Sequence, residues 1–394
     1  MKISLISANG NTDVNLNTAE SVMEHLKLFS GRVGKKCYSP LPWEELSKEP
    51  AEKGLERAKM CLDSKHHSIY DHAQLTFSMS EIPKFILMIL NNEYCYTTSE
   101  QSARWTNFAK AGRTQKERDL YVKWQGIIKE KALAMCPDKY TEKEAEKLGQ
   151  ENARYMLSSF TETSIIYTAS VRQFNYMVHY MEEFLKSDWG DQNERCRKFM
   201  DMLTPYLEEF IEAMKPYIIE GLIPKSPREL AIFKNIHSEQ YILDTNYKVM
   251  NKLSVAAYAQ FQRHRTIRSS VKLGETAEYF VPKIVYEAGL EEVWLKDLES
   301  VADVFPQAML LDVVETGEIS DFVSKCYERC CGRAQHEIQE VTNNTLEMFR
   351  KFGTDEVKEY LKKYTGDAYA ACAFPYHKCT EPCKFGAKQR ERLL

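Results

Sequence analysis

The sequence predicts an α+β protein with helix in excess. Two long stretches, Gln115 to Met135 and Arg195 to Tyr217, mix apolar and charged residues at helical spacing. Three shorter runs, Lys2 to Ser7, Gln74 to Ser78 and Ser164 to Thr168, read as strands. The sequence contains no GxGxxG and no P-loop, so neither a Rossmann nor a Walker nucleotide site is supported.

The chain has 394 residues, enough for two domains of ordinary size. Hydrophobic residues make up 43% and charged residues 28%, a globular balance. A net charge of −4 argues against a general polyanion binder, so a phosphate ligand would need a local basic cluster. The best apolar stretch, Phe85 to Leu90, is far too short to span a membrane. The start, MKISLISANGNTD, reads as a strand and a turn without the apolar region of a signal peptide. Eleven Cys in that setting suggest reduced thiols and a cytoplasmic protein. Cys372, His377, Cys379 and Cys383 cluster near the C-terminus, but not at the spacing of a zinc ribbon, so no metal is assigned.

Several motifs follow one another along the chain. His66, Ser68, Asp71 and His72 lie in KHHSIYDH, where Asp71-His72 reads as a turn into the strand at Leu75. Asn92-Glu93-Tyr94 precedes Ser99-Glu100-Gln101-Ser102-Ala103-Arg104-Trp105. Arg154 follows Glu151, and Arg172 follows Thr168-Ala169-Ser170. Far downstream come Gln260, the triplet Arg263-His264-Arg265, and Arg329 with Gln335 and Glu337 six and eight residues later. A weak internal repeat links the two sets. Asn92 and Arg263 are each preceded by an apolar run, Ile82 to Leu90 or Leu253 to Phe261. His237 follows His66 at the same spacing as Arg263 follows Asn92.

Together these motifs resemble the flavin-dependent (alternative) thymidylate synthases. In that family RHR and an E-x-S-x-R-aromatic run form one signature. The resemblance implies two fused copies of the family fold, an antiparallel sheet with long helices. The first copy covers 1–216 and the second, shortened at its front, covers 217–394 with the Cys-bearing tail. The losses are complementary. The first copy keeps Glu100, Ser102, Arg104, Arg154 and Arg172, but Met181 stands where the helix Arg belongs. The second keeps Gln260, Arg263, His264, Arg265, Arg329 and Gln335. There Leu273-Gly274-Glu275 replaces the S-x-R element, Ser320 the counterpart of Arg172, and Ala302 that of Arg154.

The implied activity is methylation or hydroxymethylation at C5 of a uridine-type 5′-monophosphate, dUMP to dTMP foremost. FAD would be the cofactor, with methylenetetrahydrofolate and NADPH as co-substrates. The resemblance implies a route in which reduced flavin carries the methylene and returns a hydride, so no protein nucleophile is required. Gln260, Glu100, Ser102, Ala103, Arg104, Arg154 and Arg329 would bind the nucleotide. The arginines suit its phosphate because a guanidinium donates two parallel hydrogen bonds. Arg263, His264 and Arg265 would meet the flavin, with His66, Ser68, Arg172 and Gln335 also holding it. Catalysis would rest on Arg263, His264, Arg265 and Arg329.

Family tetramers imply a homodimer here, a pseudo-tetramer with one FAD per chain and a composite site between copies. Glu93 and Glu275 would fall in the incompetent pairing, so substituting either is expected to matter little. Two other readings stay open. One is a non-catalytic nucleotide- or flavin-binding relative. The other is a nucleic-acid-binding protein that uses the basic 263–272 segment.

Overall fold

The structure is a computed structural model. It describes residues 1–9, 18–64, 66–102, 106–136, 138–224, 230–233, 246–262, 264, 267–377, 379 and 383–393. By contacts the chain divides into two units. One comprises Met1–Gln101 and Glu162–Ala231; the other comprises Ser102–Thr161 and Ile232–Leu394.

The first unit is built on β1 (Lys2–Ala8), β2 (Gln74–Pro83), β3 (Tyr96–Glu100) and β4 (Glu162–Ser170). Period-two alternation makes the sheet: Leu75, Phe77 and Met79 of β2 are buried, as are Ile165, Tyr167 and Ala169 of β4. The strand order is β1-β2-β4-β3, antiparallel throughout. Ser170 ends β4 and caps the helix Val171–Leu185 by accepting from Gln173 N at 3.0 Å. Asn193 caps the next helix, Glu194–Met214, which begins one residue before the predicted Arg195. That helix gives way to a 3₁₀ turn at Lys215–Tyr217 because Pro216 has no N–H to continue the ladder.

The second unit holds β5 (Asn246–Ser254), β6 (Arg268–Leu273) and β7 (Leu310–Glu318) in the antiparallel order β5-β7-β6. Its register parallels that of the first sheet. Pro83 faces Glu162 as Ser254 faces Leu310, and Thr97 faces Thr168 as Arg268 faces Thr316. Pro83 and Thr97 precede Ser254 and Arg268 by the spacing that separates Asn92 from Arg263. Glu162 and Thr168 likewise share one spacing to Leu310 and Thr316. At the other end, Gln74 faces Ser170 as Asn246 faces Glu318, but β2 is longer than β5 by one residue. A bulge between Ser80 and Ile82 supplies the extra residue, with Glu81 in the left-handed region at φ 54°.

The sequence boundary near Pro216 is not the contact boundary. Ser102–Thr161, the connection between β3 and β4, packs in the second unit. Its helices Gln115–Met135 and Glu142–Ala153 each start with a capping box, Thr114 with Glu117 and Thr141 with Glu144. Their apolar face carries Leu120, Trp124 and Ile128 into one core with Ile284, Trp294 and Leu298. The rings of Trp124 and Trp294 meet edge to face at 4.5 Å. Among the described residues, no helix is long and apolar enough to cross a membrane.

Candidate functional site

Ser102, Arg154, Gln260, His264, Arg329 and Gln335 belong to the second unit, and His66, Ser68, Glu100 and Arg172 to the first. Ala103, Arg104, His237, Arg263 and Arg265 lie outside the described residues. The second unit thus gathers Arg154, from the first half of the sequence, with the residues singled out in the second half.

Arg329 ends the helix Ile319–Arg329, where the chain turns at Cys330. Its Nε donates to His264 Nε2 at 2.7 Å, and its Nη2 donates to the Gln260 carbonyl at 3.4 Å. Accepting that bond requires a neutral imidazole with its proton on Nδ1. Burial, then Arg329 and Lys325, lower the His264 pKa to about 3. The Gln260 Oε1 is buried and has no hydrogen-bond partner in the structure.

Sequence reasoning missed the ion pair beside this group. Lys325 Nζ lies 2.7 Å from a Glu315 carboxylate oxygen, and both side chains are 1% exposed. The ammonium also sits 4.5 Å from the centre of the Phe261 ring. A signal was present: Glu315 continues the inward alternation of Leu311 and Val313, and Lys325 interrupts the stripe of Phe322, Val323 and Cys326.

A second group centres on Tyr155, which is 1% exposed. Its hydroxyl donates to Glu337 Oε2 at 2.8 Å and accepts from Gln335 Nε2. Glu337 also accepts from Ser254 N and from Ser254 Oγ, each at 2.6 Å. Burial pushes the Glu337 carboxyl up, opposed by Ser254, Tyr155 and the charge of Arg154. Arg154 itself is 7% exposed, and its Nε and Nη2 have no hydrogen-bond partner in the structure. Its guanidinium carbon lies 5.9 Å from the Tyr155 ring. A cation so placed needs an anion that the chain does not supply through those two nitrogens. Gln335 Oε1 and Glu151 Oε1 are likewise buried without partners.

In the first unit, the Glu100 carboxylate pairs with Lys84 and its side chain is 1% exposed. Arg172 Nε donates to Asp71 Oδ1 at 2.9 Å, and Ser170 Oγ donates to the same oxygen at 2.9 Å. Asp71 therefore does more than close a turn: it holds Arg172 at the start of its helix. His66 and Ser68 are exposed, while His67 is buried 2.9 Å from the Tyr176 hydroxyl. Among the described residues, no three His, Cys, Asp or Glu are placed to hold a metal ion.

Glu93 requires a correction. It is 1% exposed, and its Oε1 accepts from Ala231 N at 2.7 Å. Glu93→Ala should cost roughly 1.5–3 kcal/mol of stability, the worth of a hydrogen bond to a charged group. Urea unfolding measures this. A loss below about 0.5 kcal/mol, the floor for an ordinary hydrogen bond, would contradict it.

The buried histidines set a pH dependence. Burial, then Arg392 and Lys283, lower the His336 pKa to about 3, like that of His264. As pH falls below 6.5 the unfolded chain takes up protons that the folded chain refuses until about 3. Stability is therefore full above pH 6.5 and is lost as pH falls toward 3. His336→Gln should shrink the difference between unfolding free energies measured at neutral and mildly acidic pH. An unchanged difference would mean that the ring is not held neutral.

Residues 23–190 match the family model described as Thymidylate synthase complementing protein, Thy1. A flavin-dependent thymidylate synthase of Pyrococcus furiosus is 28% identical over 148 residues, covering 35% of this chain and 57% of that protein. One from Clostridium tetani is 25% identical over 163 residues, covering 37% of this chain and 66% of that protein. The chain thus spans somewhat over half the length of the first relative and just under two thirds of the second. Among solved structures, Thymidylate Synthase X of Helicobacter pylori with FAD and dUMP aligns at 11% identity and TM-score 0.29, covering 56% of this chain and 95% of that one. The UMP/dUMP methylase PolB of Streptomyces cacaoi, bound with 5-Br dUMP, aligns at 12% identity and TM-score 0.29, covering 45% of this chain and 76% of that one.

Proposed function

We propose that the chain is a flavin-dependent enzyme that methylates or hydroxymethylates C5 of a uridine-type nucleoside 5′-monophosphate, with dUMP the foremost substrate. The family match over 23–190 and the named activity of the relatives support the reaction class. One observation carries the nucleotide assignment: Arg154 is a buried cation with two nitrogens that have no hydrogen-bond partner. A phosphate dianion satisfies both the charge and the donors.

The chain's own residues then divide the work. Arg154 grips the phosphate, joined by Arg329 and by Arg104 of the Ser102-Ala103-Arg104 motif. The unpartnered amide oxygens of Gln260 and Gln335 accept from ring N–H groups of the bound pyrimidine or cofactor. His264, kept neutral, accepts from Arg329 and fixes its fork, which also lies 3.6 Å from a Glu328 carboxylate oxygen. The residues of the first unit fit a phosphate-bearing cofactor: His66 and Ser68 are exposed donors, and the Arg172 side chain is 35% exposed. They would hold FAD, which when bound supplies the hydride chemistry that one-carbon transfer to C5 needs. The common register of the two sheets supports the reading of two copies in one chain. Two chains would then make a pseudo-tetramer with one FAD each.

The test is flavin absorbance of the purified protein, titration with dUMP, and turnover with methylenetetrahydrofolate and NADPH. Bound flavin, nucleotide affinity and a C5-alkylated product are expected. Absence of both flavin and nucleotide affinity overturns the reading. Light scattering with flavin release tests the stoichiometry, and two FAD per chain would overturn the single competent site.

A further inference from the structure

A guanidinium can grip a phosphate tightly only if it is held ready before the ligand arrives. No hydrogen bond holds the Nε or Nη2 of Arg154. The residue next to it, by contrast, is fixed from several sides. The Tyr155 carbonyl accepts from Ala308 N at 3.0 Å, and the Leu157 carbonyl accepts from Gln307 N at 2.6 Å. The Tyr155 hydroxyl joins Glu337 and Gln335. Glu337 in turn receives both donors of Ser254, the N-cap of the helix Val255–Phe261 that leads to Gln260.

We propose that Tyr155 and Glu337 are positioning residues for the phosphate site, holding Arg154 in register with the Gln260 and Arg329 segments through the Tyr155–Glu337–Ser254 hydrogen bonds. The inference rests on the reading of Arg154 as the phosphate ligand. It assigns the network a task that packing alone would not need. One carboxylate ties two distant parts of the sequence, around Tyr155 and around Glu337, to the strand–helix corner at Ser254. The Tyr155 ring also lies beside the guanidinium, 5.9 Å from its carbon.

The test compares dUMP with deoxyuridine, which lacks the phosphate, on the full chain. Tyr155→Phe removes one hydroxyl and keeps the ring. Glu337→Gln keeps the size of the acid and removes its charge. Both should weaken dUMP binding about tenfold, at the upper end of the range for an ordinary net hydrogen bond. Deoxyuridine affinity and kcat at saturating dUMP should stay within about twofold, a difference at the margin of significance for one weak contact. Glu337→Ala should be worse than Glu337→Gln. Adding Tyr155→Phe to Arg154→Ala should cost nothing more, because both act on one contact.

Equal weakening of dUMP and deoxyuridine would overturn the positioning role, and so would full additivity with Arg154→Ala. If Glu337→Gln does not fold, Tyr155→Phe decides alone by the same comparison. If Arg154→Ala leaves the preference for dUMP over deoxyuridine intact, the phosphate reading itself fails. That result is distinct from a normal Arg154→Ala loss with a silent Tyr155→Phe, which sinks only this inference.

Discussion

Lys325→Met should lower the stability of the protein by about 3–5 kcal/mol, the usual cost of stranding one partner of a buried ion pair. Glu315 and Lys325 are each 1% exposed, so water cannot replace the lost partner. Removing the lysine also removes its contact with the Phe261 ring. The double change Glu315→Leu with Lys325→Met should recover most of the loss, because the desolvated charges leave together. Urea unfolding of the two single variants and the double one measures this. A second readout is His264, whose lowered pKa owes part of its shift to Lys325. Its ring should become easier to protonate in Lys325→Met. A single-variant loss below about 1 kcal/mol, the scale of an exposed pair, would show that the pair is not dry.

Arg154→Leu should separate binding from stability. Nucleotide affinity should fall by roughly 1.5–3 kcal/mol, the worth of a charge-assisted hydrogen bond. Stability should not fall with it, because the change removes a buried cation with unsatisfied nitrogens. A rise in unfolding temperature is the expected direction, as at other sites where function keeps a strained or unpaired group. Calorimetric titration with dUMP and thermal unfolding check the two halves. Weakened stability with unchanged affinity would reverse the assignment and make Arg154 a structural residue.

Local chemistry made parts of the fold readable. The helix Gln115–Met135 begins and ends where the sequence places it, because Thr114 and Glu117 form a capping box. The strand read as Gln74 to Ser78 runs on to Pro83, since the alternation continues past Met79 to the bulge at Glu81. Pro216 marks the end of a helix, but it does not mark the contact boundary. That boundary depends on where the apolar face around Trp124 finds a partner, a tertiary matter that periodicity does not encode.

The site was readable by residue type and not by partnership. Arg154 and Arg329 stood out as cations, yet only the structure distinguishes the two unpartnered nitrogens of Arg154 from the His264-bound fork of Arg329. Tyr155 and Ser254 were missed because an aromatic beside an arginine and a serine before a helix have ordinary explanations. The common thread is Glu337, whose three bonds come from residues far from it in the chain. A spacing rule within one motif does not find such a hub.

Trp124 and Trp294 meet edge to face in one core, although a long stretch of chain separates them. The ribosome therefore delivers the first ring well before the second. At ordinary synthesis speed, roughly 10–30 s pass between the two. For that interval the helical hairpin 115–153 has its tryptophan face bare on the nascent chain. A chaperone that shields apolar surface should engage that hairpin, and should let go only after residues near 298 have left the exit tunnel. Ribosome-bound chains arrested at 230 and at 340 should therefore differ sharply in chaperone occupancy and in protease sensitivity across 115–153.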